Sequence, residues 1–400
     1  MCFFHSQCLP IALLTLAAGT AMAQESPLTL SAGYTVQTDS NLFRLPSNAN
    51  VQALTGQGSK AENIGVTTLG IGFNTQQSLQ KFEFDLSLVD YRYQNFNYLS
   101  FTASNYSAAW RWALTPRWTG NFTSDRKETL NSFSDYQGYT QRNLRVDTTT
   151  RLDTLYELDG PWRALAGAST TRQSNQQALT AGGDYAYTSA DGGLRYAFAS
   201  GSSITYQARI GNGNYLNRTI PNTGQFDDSF KQIDNDLRLR WVIGGGSVAE
   251  IYGTHINRTH PNYSQRDYNG FNTGANLNWA LSGKSSVFIG FSHTLDAYAT
   301  ANTNYSQTDK FSIGPLWQFS PKASVRLRHD WAQRSYLGAP SGATSSDRSD
   351  ITRDTSLSID WAPHQKIALS AGLQSATRGS NQAGLDYEST VLFLTAQLNY

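Results

Sequence analysis

The sequence predicts an all-β chain: a transmembrane antiparallel up-and-down β-barrel of about 18 strands (16 being the alternative count) behind an N-terminal signal peptide. Three observations predict it. The last ten residues, Val391 to Tyr400, alternate. Leu392, Leu394, Ala396, Leu398 and Tyr400 are apolar, and Thr395, Gln397 and Asn399 between them are polar, with Phe393 the exception. Similar period-2 runs recur along the chain between short Pro/Gly turns. The composition combines 12% aromatic residues with only 15% charged residues, against about 25% charged in ordinary soluble domains. Successive strand side chains point to opposite faces, so such runs have one oily and one wet face.

The chain opens on "MCFFHSQCLPIALLTLAAGTAMAQESP". Leu9 to Ala18 is an apolar core and Ala21-Met22-Ala23 a small-x-small cleavage site, which predicts a secretory signal peptide over 1–23 and a barrel domain over 24–400. The first eight residues carry no Lys or Arg, a departure from the usual pattern. Cys2 and Cys8 both fall in the expected leader, so neither disulfides nor thiol chemistry is expected in the mature chain. Beyond residue 23 no run of 18 apolar residues suggests a membrane helix. A net charge of +1 argues against a nucleic-acid partner.

A repeat marks the turns. "WALTPR" (112–117), "WALSGK" (279–284) and "WQFSPK" (317–322) share Trp, two residues, a small hydroxyl, Pro or Gly, then a base. Looser versions place turn centres near 115, 160, 201, 245, 283, 321 and 363, with a weaker one near 78. The step suits two membrane strands and one longer loop. Eight turns join sixteen strands, and one strand before (about 28–37) and one after (386–400) make eighteen. The even number puts both termini in the periplasm. Longer loops then face outward near 38–61, 96–103, 128–140, 176–183, 217–229, 260–268, 299–305, 336–350 and 378–386. Segments 162–176 and 247–260 do not choose a face cleanly. A soluble propeller shares the period, but its outer strands would be polar.

Trp112, Trp118, Trp162, Trp241, Trp279, Trp317 and Trp361 lie within five residues of a turn. Amphipathic rings favour the membrane–water boundary, so these seven are expected to form a periplasmic aromatic girdle. The terminal strand resembles the sorting signal of bacterial outer-membrane barrels, through Leu392, Leu394, Ala396, Leu398 and Tyr400. The expected location is the outer membrane of a Gram-negative bacterium, with outer-membrane lipid as a partner.

"YTVQTDSNLFRLP" (Tyr34 to Pro46) contains the element Asp39, Ser40, Asn41, Phe43, Arg44, Leu45, and "WRWALTPRWTGNFTSDRKETLNSFSDY" (Trp110 to Tyr136) follows as an early hairpin. Together they resemble EpsL-type outer-membrane proteins of exosortase-associated (PEP-CTERM) exopolysaccharide operons. The resemblance implies a role in exopolysaccharide biosynthesis or export, with exopolysaccharide and periplasmic polysaccharide-export components as partners. It implies no catalytic residue.

By parity Arg111, Arg145, Arg151, Arg209, Arg238, Arg240, Arg326 and Arg328 point into the lumen, joined by Asp147, Asp153, Asp236, Asp330 and Asp360. Rings of Arg favour anion passage and grip carboxylates bidentately, which makes them the candidate path of an anionic glycan. The competing expectation is an Arg–Asp ladder that satisfies the barrel interior. Tyr91, Tyr93, Phe96, Tyr98, Tyr136, Tyr139, Tyr215 and Tyr263 are candidates for stacking on sugar rings. His255, His260, His293, His329 and His364 are scattered, with no nucleophile elbow and no metal-ligand spacing, so no catalytic site, metal or cofactor is expected. The leading expectation is therefore a non-enzymatic barrel for exopolysaccharide export. The alternatives are a general or solute-specific porin and, from another class, an outer-membrane lipid hydrolase. The first loop, 38–61, has two possible fates: folding inward as a plug or lying outside.

Overall fold

A computed structural model describes residues 27–135, 138–178, 182–218, 227–297, 303–338 and 347–400. The expected leader over 1–23 lies outside them, as does Tyr136. The strands are β1 (Leu28–Asp39), β2 (Glu62–Gln77), β3 (Gln80–Tyr93), β4 (Phe101–Thr115), β5 (Trp118–Leu130), β6 (Leu144–Glu157), β7 (Trp162–Asn175), β8 (Tyr185–Ala197) and β9 (Ser203–Tyr215). There follow β10 (Ser229–Gly244), β11 (Ser247–Thr259), β12 (Tyr268–Ser282), β13 (Ser285–Ala297), β14 (Tyr305–Ser320), β15 (Ala323–Leu337), β16 (Ser349–His364), β17 (Ile367–Ser380) and β18 (Tyr387–Asn399).

Each strand pairs antiparallel with the next in sequence. β18 returns to pair with β1, from Ser31↔Asn399 to Asp39↔Val391. The cylinder is closed at eighteen strands. Closure pairs every backbone edge, which a lipid environment demands because lipid offers no hydrogen bonds.

The period-2 pattern fixes the faces. Leu392, Leu394 and Leu398 are exposed along β18, as are Leu69, Ile71 and Phe73 on β2 and Ile233, Leu237 and Trp241 on β10. Intervening residues face the lumen. The ambiguous segments become β7 and β11, and their side chains explain the ambiguity. The outer face of β7 carries Ala164, Ala166 and Ala168 while its inner face carries Gly167, Ser169 and Thr171, so oily and wet sides differ little. In β11 the outer face mixes Ile251 with Gly253 and His255.

Phe393 breaks the rhythm of the last strand because it faces inward. It pairs with Gly372 of β17, and a side chain on Gly372 would collide with the Phe393 ring. A glycine opposite gives this inward ring its place flat on the wall.

Short turns join strands at the end where β1 begins and Tyr400 lies. Longer connections lie at the other, the outward end. One of them, 40–61, contains the helix α1 (Val51–Thr55), capped by Asn50, whose side-chain oxygen accepts from Ala53 N–H at 3.0 Å.

Candidate functional site

The inner wall is charged but largely compensated. Arg111 pairs with Glu83 at 2.7 Å, Arg145 with Asp147 at 2.9 Å and Arg328 with Asp330 at 3.0 Å. Arg238 meets Asp236 at 3.7 Å and Arg240 meets Glu250 at 3.9 Å. A longer run crosses β6 to β10. Arg151 grips Asp191 with two nitrogens, at 2.7 and 3.0 Å, and approaches Asp153 at 3.6 Å. Arg209 lies 3.8 Å from Asp191 and 3.9 Å from Asp234. Of the eight arginines expected in the lumen, Arg326 alone has no ion-pair or hydrogen-bond partner among the described residues. It sits on β15, opposite Ser358 of β16 and Leu316 of β14.

At the outward end part of the lumen is occupied, beside β2–β4. The 40–61 loop folds inward, and its Leu42, Phe43 and Leu45 are buried against Ile64 and Val66 of β2, Val89 and Tyr93 of β3, and Phe101 and Ala103 of β4. Phe96 and Leu99, from the β3–β4 connection, complete this core. Phe43 meets Phe96 and Phe133 edge-on, each at 4.7 Å between centroids. Such pairs add to the gain from burial.

The element 39–45 is the clasp that turns this loop inward. Asp39 ends β1, and its carboxylate accepts from Asn41 N–H at 2.9 Å, from the Ser389 hydroxyl of β18 at 2.8 Å and from Arg44 at 2.8 Å. Asn41 is fully buried. Its amide donates to the carbonyls of Leu45 (2.8 Å) and Glu388 (2.9 Å) and accepts from Leu45 N–H at 2.9 Å. Arg44 takes a left-handed backbone, φ 55°, which is uncommon for a residue with a side chain. The loop's far end is held by Glu62, whose buried carboxylate accepts the N–H groups of Asn95 (2.9 Å) and Phe96 (2.7 Å).

A second connection, between β5 and β6, also enters the lumen. Phe133 anchors it in the aromatic core. Beyond Phe133 it meets side chains that project from β15 and β17. Asp135 lies 3.5 Å from Arg334 of β15, and the Ser134 carbonyl accepts from Arg378 of β17 at 2.6 Å.

On the other side of the mouth, loop residues form a polar cluster. Asp227 accepts Asn262 N–H at 2.6 Å and the Asn262 amide at 3.0 Å. Burial raises its pKa, but the backbone and side-chain donors of Asn262 outweigh that and hold the carboxyl below its ordinary value of 3.8. Nearby His260 contacts Asp267 at 3.3 Å. Burial pushes this imidazole below its ordinary 6.5, against the pull of Asp267.

Other expected residues fall as follows. Trp112, Trp118, Trp162, Trp241, Trp279, Trp317 and Trp361 all lie at the tight-turn end on the outer face, and all but the half-buried Trp112 are exposed. Leu392, Leu394, Ala396, Leu398 and Tyr400 line the outer face of the last strand, and Tyr400 exchanges backbone hydrogen bonds with Leu30, both at 2.7 Å. The stacking candidates need correction. Phe96 and Tyr93 are buried in the plug, and Tyr91 stacks on Phe101 at 4.6 Å. Their faces are taken by protein. Tyr98 is exposed and donates to the Thr140 carbonyl at 3.0 Å. Tyr215 carries the Arg218 guanidinium 3.6 Å above its ring. Tyr139 and Tyr263 are half-buried in loops. His255, His293 and His329 face outward on separate strands, and no group of three metal-ligating side chains forms among the described residues. Phe133, Arg334 and Arg378 organise the mouth yet were not singled out by sequence, whereas Arg44 was. Only the 39–45 motif carried a signal.

A closed 18-stranded cylinder with a polar inner wall and an apolar belt defines a porin-like β-barrel of the Gram-negative outer membrane. Residues 250–400 match the family model described as "Putative beta-barrel porin 2". Solved Pseudomonas aeruginosa structures share the fold. OccK1 (OpdK) is 11% identical at a TM-score of 0.51, covering 93% of this chain and 99% of that one. OccK2 (OpdF) is 11% identical at 0.52, covering 93% and 97%. OpdQ is 12% identical at 0.50, again covering 93% and 97%. No curated protein sequence matches the chain.

Proposed function

We propose that the protein is a porin-type passage for small hydrophilic solutes across the outer membrane, acting by permeation and not by bond making. The observation that carries this is the lining. Charged and amide side chains cover the inner wall of a closed cylinder whose outer wall is oily. Because most of the luminal arginines named above face a carboxylate, the passage has weak overall charge preference, and Arg326, which has no ion-pair partner among the described residues, adds positive charge to the wall. The seven turn-end tryptophans serve as the periplasmic girdle, and the terminal strand serves as the sorting signal. Purified protein in planar bilayers is the test. Stepwise ion conductance supports a passage, and protein that inserts but never conducts would rule it out.

The exopolysaccharide role is a second proposal, supported by the resemblance at 39–45 and the early hairpin. In the fold, Asp39, Asn41 and Arg44 hold a loop, so their pattern is accounted for by architecture without a polymer. A deletion strain decides it: lost polymer secretion supports the role, and unchanged secretion counts against it.

A further inference from the structure

The lipid-facing wall carries a groove of about 730 Å³ across β10, β11, β12 and β13. Its cause is a change of side-chain size. Leu237 and Leu239 stand on one side, Phe271 and Phe291 on the other, and between them lie Gly253 and Ala275. A side-chain carbon on Gly253 would meet nothing nearer than Thr273, at 4.0 Å. From Ile233 to Leu239 the outer face of β10 runs about 20 Å, at about 3.3 Å per residue. With the usual tilt of barrel strands that is a depth of about 15 Å, one leaflet of a hydrocarbon core about 30 Å thick. At the outward end of the same face stands Lys231, exposed and without an ion-pair partner among the described residues. Polar groups follow below it. The Tyr206 hydroxyl donates to Asn235 at 2.8 Å, and His255 lies 2.8 Å from Asn269. Across β12, His293 meets Asp309 of β14 at 2.6 Å, and the Asp309 side chain stays 39% exposed. An ion pair on an oily face is costly, and it marks contact with something polar.

We propose that this groove seats an acyl chain of a phosphorylated glycolipid of the outer leaflet, with a phosphate at Lys231 and the amide and hydroxyl groups of the acyl linkages along Asn235, His255 and Asp309. Charge selects an anionic head, because the Lys231 ammonium makes a charge-assisted contact with a phosphate oxygen. The carboxylate selects the linkage. Asp309 accepts hydrogen bonds and needs donors; amide-linked, hydroxylated chains bring N–H and O–H groups to that depth, whereas the esters of a glycerophospholipid only accept. Width points the same way. Four strand steps separate β10 from β14, about 19 Å at about 4.8 Å each, a span that a many-chained glycolipid covers and a two-chained phospholipid does not. The bare backbone at Gly253 lets the chain lie against the wall at van der Waals distance.

The test uses full-length protein purified from outer membranes and freed of lipid by detergent exchange. It is offered diphosphoryl lipid A, dephosphorylated lipid A or phosphatidylglycerol, and the bound fraction is read by native mass spectrometry. Diphosphoryl lipid A is expected to bind at least fivefold more tightly than phosphatidylglycerol. Gly253→Leu fills the groove without a clash and is expected to weaken that binding at least fivefold. Lys231→Ala is expected to weaken diphosphoryl lipid A while leaving dephosphorylated lipid A unchanged, and it reads the site independently should Gly253→Leu fail to insert. Unaltered binding of diphosphoryl lipid A by either variant, or phosphatidylglycerol binding as tight as lipid A, overturns the proposal. A barrel dimer that Gly253→Leu dissociates would assign the groove to a second copy and overturns it too. Lipid occupancy is read without conductance, so the outcome is separate from that of the passage.

Discussion

Asp39 and Arg44 face each other at 2.8 Å across a left-handed turn, and the same carboxylate holds Ser389 of the last strand at 2.8 Å. One acidic side chain therefore joins three things: the end of the first strand, the inward turn of the first loop, and the seam where β18 closes the barrel. The plug and the seam share a fastening.

Asp39→Ala should destabilise the barrel by about 2–4 kcal/mol, because it leaves the Arg44 charge and the buried Asn41 N–H without their acceptor. Urea unfolding in detergent, followed by tryptophan fluorescence, measures it. A change within about 0.5 kcal/mol, the size of an ordinary surface substitution, would mean that the clasp does not bear on closure.

Phe43→Ala should cost about 3–5 kcal/mol, the range for emptying a buried aromatic site. It removes the ring shared by Phe96 and Phe133, so both inward loops loosen together. Limited proteolysis of intact cells should then nick the chain within 40–61, where the parent protein resists. Equal resistance would show that the loop is held without Phe43.

Arg151→Ala and Arg326→Ala should behave oppositely. Removing Arg151 takes the two-nitrogen grip from Asp191, whose side chain is fully buried, leaving it only the more distant Arg209 and the Gln207 amide, and should cost about 2–4 kcal/mol. Removing Arg326 breaks no pair among the described residues. It should leave stability near the parent value and move the zero-current potential in a salt gradient toward cation preference. A fall in stability without a shift in potential for Arg326→Ala would assign that residue to structure.

Acid should loosen the loops around Asp227 and His260 in two stages. His260 has a lowered folded pKa, so as pH falls below 6.5 the unfolded chain takes up the proton first and the loop loses stability. The Asp227 carboxyl is also lowered. Its contribution is fully present above 3.8 and is lost as pH falls through its lower folded value. Hydrogen exchange at the Asn262 amide, which Asp227 accepts, should accelerate in these two windows. Exchange independent of pH after correction for intrinsic rates would refute the assignment.

Much of the barrel was legible because the side-chain period of a strand is two. Leu392 to Leu398 declare their face locally, and the turn repeats at 112–117, 279–284 and 317–322 fix where strands end. The faces of β7 and β11 were not legible, since Ala against Gly and Ser offers little contrast. The partners of the luminal arginines were partly legible. Arg145–Asp147 and Arg328–Asp330 are i, i+2 neighbours on one face, whereas Arg151–Asp191 depends on which strands lie side by side.

By itself the sequence determined the kind of cylinder: a barrel of about eighteen strands, most of its outer belt, its turn ends and the ionic character of its wall, all local consequences of alternation and turn chemistry. Only the tertiary structure decided the mouth. The inward fold of 40–61, the burial of Phe96 beside Phe43, and the reach of Asp135 to Arg334 join segments far apart in the chain. No local period encodes them, because they arise when closure brings distant strand ends into one lumen and apolar loop residues find there a surface away from water.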